Sequence, residues 1–171
     1  MEALIGKPCP EWGDRRWVQG GPFRASDLRG KVVLVRFFTD PDCPFCRTTA
    51  PALNDLHSEF ASRGLVVVGM YTPKPRPAPT TKEKVRRVAE AYGFRFPVAV
   101  DDDWKALRGL WLDRVRGSGF TSSSLLVDRR GIVRHVHRGG AYASDAADPG
   151  ARRDYASLRA AILAVLDESA P

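Results

Sequence analysis

The stretch KVVLVRFF, residues 31–38, constrains this chain more than any other. It is short, and its β-branched and aromatic residues mark a buried strand. TDPDCPFCRTTAP, residues 39–51, follows at once and holds Cys43 and Cys46 with two residues between them. Beyond it Ala50, Leu53, Leu56, His57 and Phe60 recur at helical spacing, and Gly64 closes the run. A strand, a cysteine pair and a helix in succession place two thiols where a sheet hands over to a helix N-terminus. Pro51 lies inside this helix and is expected to kink it.

The rest of the chain keeps the alternation. LVVVGMYT (65–72) reads as a second buried strand and PKPRPAP (73–79) as a stiff, proline-rich loop. TKEKVRRVAEAYG reads as a helix capped by Thr80 or Thr81 and ended by Gly93, and FPVAVD (96–101) as a short strand. DWKALRGLW is a short helix whose Trp104, Leu107 and Trp111 face the core. SSLLVDRRGIVRHVHRG is a hairpin turning at DRRG, and DYASLRAAILAVLDE is a final amphipathic helix. Residues 1–30 read as irregular, with a turn at GGP. The pattern predicts an α/β fold, a central mixed β-sheet flanked by helices on both faces.

The 171 residues suit one domain over 1–171 with a core that needs no staples. Three cysteines are too few for a disulfide scaffold, so a C-x-x-C here is more chemical than structural. The third, Cys9 in KPCP, is expected to be a small, half-buried residue. The net charge is +7, with 21 of the 27 basic residues arginine. These arginines are scattered and not interleaved with aromatics, which argues against nucleic acid as a partner. No stretch reaches the ~18 apolar residues of a membrane span. MEALIGKPCPEW lacks the pattern of a signal peptide. A cytoplasmic protein is expected, or an exported one if a signal segment has been removed.

A thiolate, not a thiol, attacks a disulfide. At a strand-to-helix junction the free N–H groups and the helix dipole favour the charge. That position makes Cys43 the expected nucleophile and Cys46, one turn further in, the resolving thiol. The same spacing also suits two buried core cysteines, or half of a zinc site. Zinc takes four ligands, and no second C-x-x-C exists. His135 and His137 could supply two more, but an exposed hairpin pair accounts for them equally well.

GKVVLVRFFTDPDCPFCRTTAPAL resembles the core of thioredoxin-fold thiol–disulfide oxidoreductases, most of all the TlpA-like branch that overlaps in pattern with the AhpC/TSA peroxiredoxins. The resemblance spans roughly residues 4–140. LIGKPCPEW is similar to the family's opening segment, Pro51 to its helix proline and LLVDRRGIVRHVHRG to its closing hairpin. It implies a thioredoxin-like fold and a thiol–disulfide oxidoreductase working through a Cys43–Cys46 disulfide, without an organic cofactor or a metal. The partners implied are a protein or small-molecule disulfide and an electron donor. Pro44, Phe45, Thr121, Ser122 and Gly139 would meet the substrate, with Gly140 beside the same groove. A peroxiredoxin-type thiol peroxidase, with Cys46 resolving a Cys43 sulfenate, is the alternative. A metal-binding or redox-sensing module without turnover is a further one.

The chain also departs from the family. Asp42 stands where tryptophan is usual, and with Asp40 it is expected to raise the Cys43 pKa, opposed by Arg36 and Arg47. The buried acid of thioredoxins is replaced by Arg36 or Phe37, and a second acid position holds Thr49. Asp42 acting through water is then the candidate acceptor for the Cys46 proton. Where the family has a cis-proline the chain has Ser122, so Thr121–Ser122 is expected to be trans, with both hydroxyls lining the groove. The peroxidase pattern is incomplete: Asp40 occupies the position three before Cys43, Thr39 lies four before, and Arg114 and Arg116 are out of register.

Overall fold

The structure is a computed structural model that describes residues 3–170. Strands β1 (Arg16–Gln19), β2 (Val32–Phe38), β3 (Leu65–Tyr71), β4 (Val98–Val100), β5 (Ser124–Val127) and β6 (Val133–His137) form one mixed sheet in the order β1-β4-β3-β2-β5-β6. β2, β3 and β4 run parallel, while β1, β5 and β6 join antiparallel. β2 pairs with β3 on one side and β5 on the other, and all seven of its residues are buried. A strand enclosed in this way has no water-facing side to set an alternating pattern, hence its near-continuous apolar run.

Four helices cover the sheet: α1 (Pro44–Phe60), α2 (Lys82–Tyr92), α3 (Lys105–Leu107), which runs into a π-helical turn at Arg108–Leu112, and α4 (Pro149–Asp167). On one face Cys46, Leu53, Val85, Ala89, Leu158 and Ile162 pack with Val32, Leu34 and Phe38 of β2. On the other, Val33, Val35 and Phe37 meet Trp12, Leu107, Leu110 and Trp111. Side chains alternate along a strand, so residue 36 shares the face of 32, 34 and 38. Arg36 therefore lies beneath α1.

Local signals act as their chemistry dictates. The Thr81 hydroxyl accepts from the Lys84 N–H at 3.2 Å and caps α2, and Gly93 ends it at φ 71°. Pro51 lies within an α1 that continues to Phe60. Trp104 is half-buried, while Leu107 and Trp111 are buried as expected. Asp101, at the end of β4, accepts from the Ala106 and Leu107 N–H groups at 2.8 and 2.9 Å and from Arg15 at 3.0 Å. Burial pushes its carboxyl pKa up, against those hydrogen bonds and Arg15.

Two sequence expectations are corrected. Residues 16–19, read as irregular, form edge strand β1, which pairs with β4 across a bulge between Trp17 and Gln19. Four residues at a sheet edge carry no periodicity of their own. His137, expected on an exposed pair, is buried by α4, with Nε2 2.9 Å from Asp154 Oδ2. Burial first and the Arg36 guanidinium second push its pKa down to about 4 against the pull of Asp154. The imidazole is thus neutral at neutral pH and donates its Nε2–H to the carboxylate, so the contact is a hydrogen bond and not an ion pair. His135, half-buried on the same face, is likewise shifted down by burial.

Candidate active site

Cys43 is the N-cap residue of α1, with extended backbone, and Pro44 opens the helix. The Cys43 N–H donates to the Asp40 carbonyl at 3.0 Å, and its own carbonyl accepts from the Arg47 N–H at 3.1 Å. This turn leaves Cys43 half-buried at the surface and puts Cys46 inside at 3 % exposure. Both are free thiols.

Their environments split the pair. Burial works to raise the Cys43 pKa, but it is outweighed by hydrogen bonds from the Cys46 thiol and from the Cys46 and Phe45 N–H groups, together with the Lys74 charge. The Cys43 pKa falls below that of an ordinary thiol. Burial raises Cys46, and Cys43 adds to it, against Arg36 and a backbone hydrogen bond from Thr39. One thiol made more acidic and a neighbouring one made less acidic are what a nucleophile and its resolving partner require.

The sequence reading placed the charges differently. Asp42 is exposed and is not among the main influences on either cysteine, and the Cys43 shift is downward where a rise was expected. The Asp40 carboxylate turns away to accept from the Tyr71 hydroxyl at 2.8 Å and from Lys84 at 3.5 Å. Arg36 is completely buried and acts on Cys46, because strand alternation points it under α1. Arg47 is exposed on the helix. Thr49 is buried one turn beyond Cys46 and accepts from Arg36 and from the Tyr142 N–H, at 3.5 and 3.2 Å.

Lys74 is the residue that sequence reasoning missed. It sits in PKPRPAP, a loop whose local signal is its prolines and in which nothing local marks the one lysine as facing the cysteines. Its Nζ donates to Ser122 Oγ at 3.4 Å, and Ser122 Oγ lies 3.8 Å from Cys46 Sγ. The Thr121–Ser122 bond is trans. A proline at 122 would carry no hydroxyl, so serine is what allows this chain from an exposed ammonium to the buried thiol. Removing the charge in Lys74→Gln should make Cys43 a weaker acid. A contact of this kind is worth about 1 kcal/mol near water, so the thiolate population at pH 7 should fall roughly two- to fivefold. Titrating thiolate absorbance of the reduced protein tests this, and superimposable curves for the two proteins would remove Lys74 from the account.

A groove of about 690 Å³ runs beside the cysteines, lined by Pro44, Phe45, Arg47, Phe120, Gly139 and Gly140 among others. Phe45 and Phe120 are 40 % and 47 % exposed and meet edge to face, 5.8 Å between ring centroids. A Cβ on Gly139, which has φ 130°, would collide with the Phe120 side chain, so only glycine lets the two segments close. Thr121 and Ser122 are not among the lining residues: Ser122 turns inward, and the Thr121 hydroxyl is buried without a partner. Cys9 stands apart, half-buried, and burial pushes its pKa up to about 11, which disfavours its thiolate. Among the described residues no group of three or more His, Cys, Asp or Glu is placed to hold a metal ion. None of the described helices is long and apolar enough to cross a membrane.

The chain is similar to known proteins. Peroxiredoxin Bcp of Bacillus subtilis is 25 % identical over 137 residues, 77 % of this chain and 82 % of that protein. Thiol-disulfide oxidoreductase ResA of Bacillus thuringiensis is 28 % identical over 129 residues, 75 % of this chain and 66 % of that one. Among solved structures, a thiol:disulfide interchange protein of the thioredoxin family from Chlorobium tepidum superposes with a TM-score of 0.67 at 22 % identity, covering 95 % of this chain and 98 % of that one. The likeness makes the architecture a thioredoxin-like fold, as the sequence implied. The family model described as AhpC/TSA matches residues 5–136, the segment that carries the cysteine pair and the sheet around it, and the chain belongs to the AhpC/TSA family.

Proposed function

We propose that the chain is a thiol–disulfide oxidoreductase, carried by one domain over residues 1–171, that exchanges disulfides through Cys43 and Cys46. The observation that carries this reading is the division of the pair: a stabilised Cys43 at the surface and a protonated Cys46 directly behind it. Cys43 thiolate attacks a substrate disulfide and displaces one substrate thiolate. Cys46, losing its proton to solvent, then attacks Cys43 Sγ and releases the second substrate thiolate, leaving the Cys43–Cys46 disulfide. A thiol donor returns it to the dithiol. No organic cofactor enters these steps.

The substrate is a protein or small-molecule disulfide. The groove formed by Pro44, Phe45, Phe120 and Gly139 would hold an apolar segment of it, and Arg47 a neighbouring carboxylate. Reduction of insulin disulfides by dithiothreitol tests the activity. Catalysis by the protein and none by Cys43→Ser is expected, and equal rates with and without the protein would overturn the reading.

The Bcp relative favours testing a peroxidase as a second reading. Peroxide cleavage needs a hydroxyl donor against the peroxide, and the position three before Cys43 holds Asp40, whose carboxylate is taken by Tyr71 and Lys84. Hydrogen peroxide should therefore oxidise Cys43 no faster than about tenfold above a free thiolate of the same thiol class. A second-order rate several orders above that makes the peroxidase the main activity.

A further inference from the structure

Among the described residues Arg36 is a buried cation with no carboxylate partner. Its exposure is zero, and the groups it reaches are neutral: the Gly140 carbonyl at 3.0 Å, and the Thr49 and Ser124 hydroxyls, each at the 3.5 Å limit. Its Nε is buried with no partner. The guanidinium lies over the Tyr142 ring, 5.2 Å from its centroid. The neighbouring imidazole of His137 is neutral and directed at Asp154. A guanidinium does not give up its proton, and an unpaired charge in the interior costs several kcal/mol. One strong hydrogen bond and a cation–π contact offset only part of that cost.

Among the described residues on this side of the sheet, Cys46 is the group whose ionisation belongs to the reaction; Tyr142, under the guanidinium, and Tyr92 are phenols whose pKa values burial raises. Cys46 projects from α1 toward the face of β2 that carries Arg36, and Thr49, one turn on, touches the guanidinium. The other groups that face Cys46 are Cys43 on its own helix, the Tyr92 hydroxyl of α2, which donates to the Thr39 and Asp40 carbonyls, and Lys74 acting through Ser122. Once Cys43 is tied up in a mixed disulfide it carries no charge. Arg36 is then the buried cation on the Cys46 side of the sheet, reaching Thr49 one turn beyond it, and Lys74 is the cation at the surface.

We propose that Arg36 is a positioning residue for the resolving step, holding the Cys46 thiolate as its counter-ion while Cys46 attacks the mixed disulfide. This rests on the oxidoreductase reading above. In the step, the Cys46 thiol gives its proton to solvent, and its sulfur forms a bond to Cys43 Sγ. The bond between Cys43 and the substrate breaks, and the departing substrate thiolate takes both bonding electrons and, where its pKa is high, a proton from solvent. The arginine is neither oxidised nor deprotonated. It does for Cys46 by charge what a buried acid would do by accepting a proton.

The test follows the two halves of the reaction separately, with glutathione disulfide as the probe. Attack by Cys43 is measured in Cys46→Ser by formation of the mixed disulfide. Release of glutathione by Cys46 is measured by single-turnover kinetics as a function of pH. In Arg36→Met the inflection of the release step should move up by about one unit, because a close opposite charge is worth about that or more. A thiolate of higher pKa is intrinsically more nucleophilic. The variant should therefore be about threefold slower at pH 7 and about threefold faster on the alkaline plateau, so that the two profiles cross. A purely structural defect lowers the whole profile without moving it. Arg36→Lys, which keeps the charge, should restore the inflection, and the attack half-reaction should be unchanged in the Cys46→Ser background. An unshifted inflection in Arg36→Met overturns the proposal. So does failure of both Arg36→Met and Arg36→Gln to fold, since a cation held for a transient thiolate is dispensable to the oxidised protein. Absence of any mixed disulfide in Cys46→Ser would instead remove the oxidoreductase reading itself.

Discussion

Cys43→Ser is expected to abolish disulfide exchange, while Cys46→Ser is expected to accumulate mixed disulfides with its substrates. The difference follows from position. Cys43 is the half-buried N-cap of α1, with N–H groups, the Cys46 thiol and Lys74 favouring its thiolate. Replacing its sulfur with a hydroxyl, which stays protonated, removes the attack; a loss of at least about 10³-fold is the scale for removing a reaction's nucleophile. Cys46 lies at 3 % exposure and cannot meet a bulky disulfide itself. Without it attack proceeds and resolution does not. Non-reducing gels of Cys46→Ser after incubation with an oxidised protein should show covalent adducts that dithiothreitol dissolves. Adducts on Cys43→Ser, and none on Cys46→Ser, would reverse the roles.

The second large effect is on stability in acid. His137 is buried and neutral in the fold, with its pKa down at about 4, whereas an unfolded histidine titrates near ~6.5. Between those values the unfolded chain binds the extra proton, so stability falls as pH drops through that window. The loss is up to about 3 kcal/mol by pH 4. It is absent above about pH 6.5, where both states are neutral. His137→Gln cannot take up the proton and should escape the loss. Urea unfolding at pH 7 and pH 4.5 separates it from the carboxylates, which titrate in both proteins. A stability loss of the same size in the variant would show that His137 contributes nothing to acid sensitivity.

The parts legible in the sequence are those with strong local chemistry. KVVLVRFF could only be an interior strand, and C-P-F-C after it could only open a helix. The Thr80–Thr81 pair and Gly93 mark the ends of α2, and Thr81 is the residue that caps it. What escaped needs the third dimension. β1 is four edge residues whose partner, β4, lies some 80 positions on. Arg36 could have been placed by alternation alone, since Leu34 and Phe38 share its face, yet nothing in the sequence says which face lies under α1. Lys74 reaches Cys46 only because the loop after β3 and the turn before β5 meet at the same end of the sheet. Asp42 and Asp40 depart from expectation because proximity in sequence to Cys43 is not proximity to its sulfur. Asp42 is exposed, and Asp40 is drawn off by Tyr71 and Lys84.

On the oxidoreductase reading Cys43 is the attacking thiol and Cys46 the one behind it. Substoichiometric alkylation of the fully reduced protein at pH 7, followed by peptide mass mapping, tests it most directly. The label should fall on Cys43, with Cys46 and Cys9 modified only after unfolding. Label arriving first on Cys46 would contradict the account.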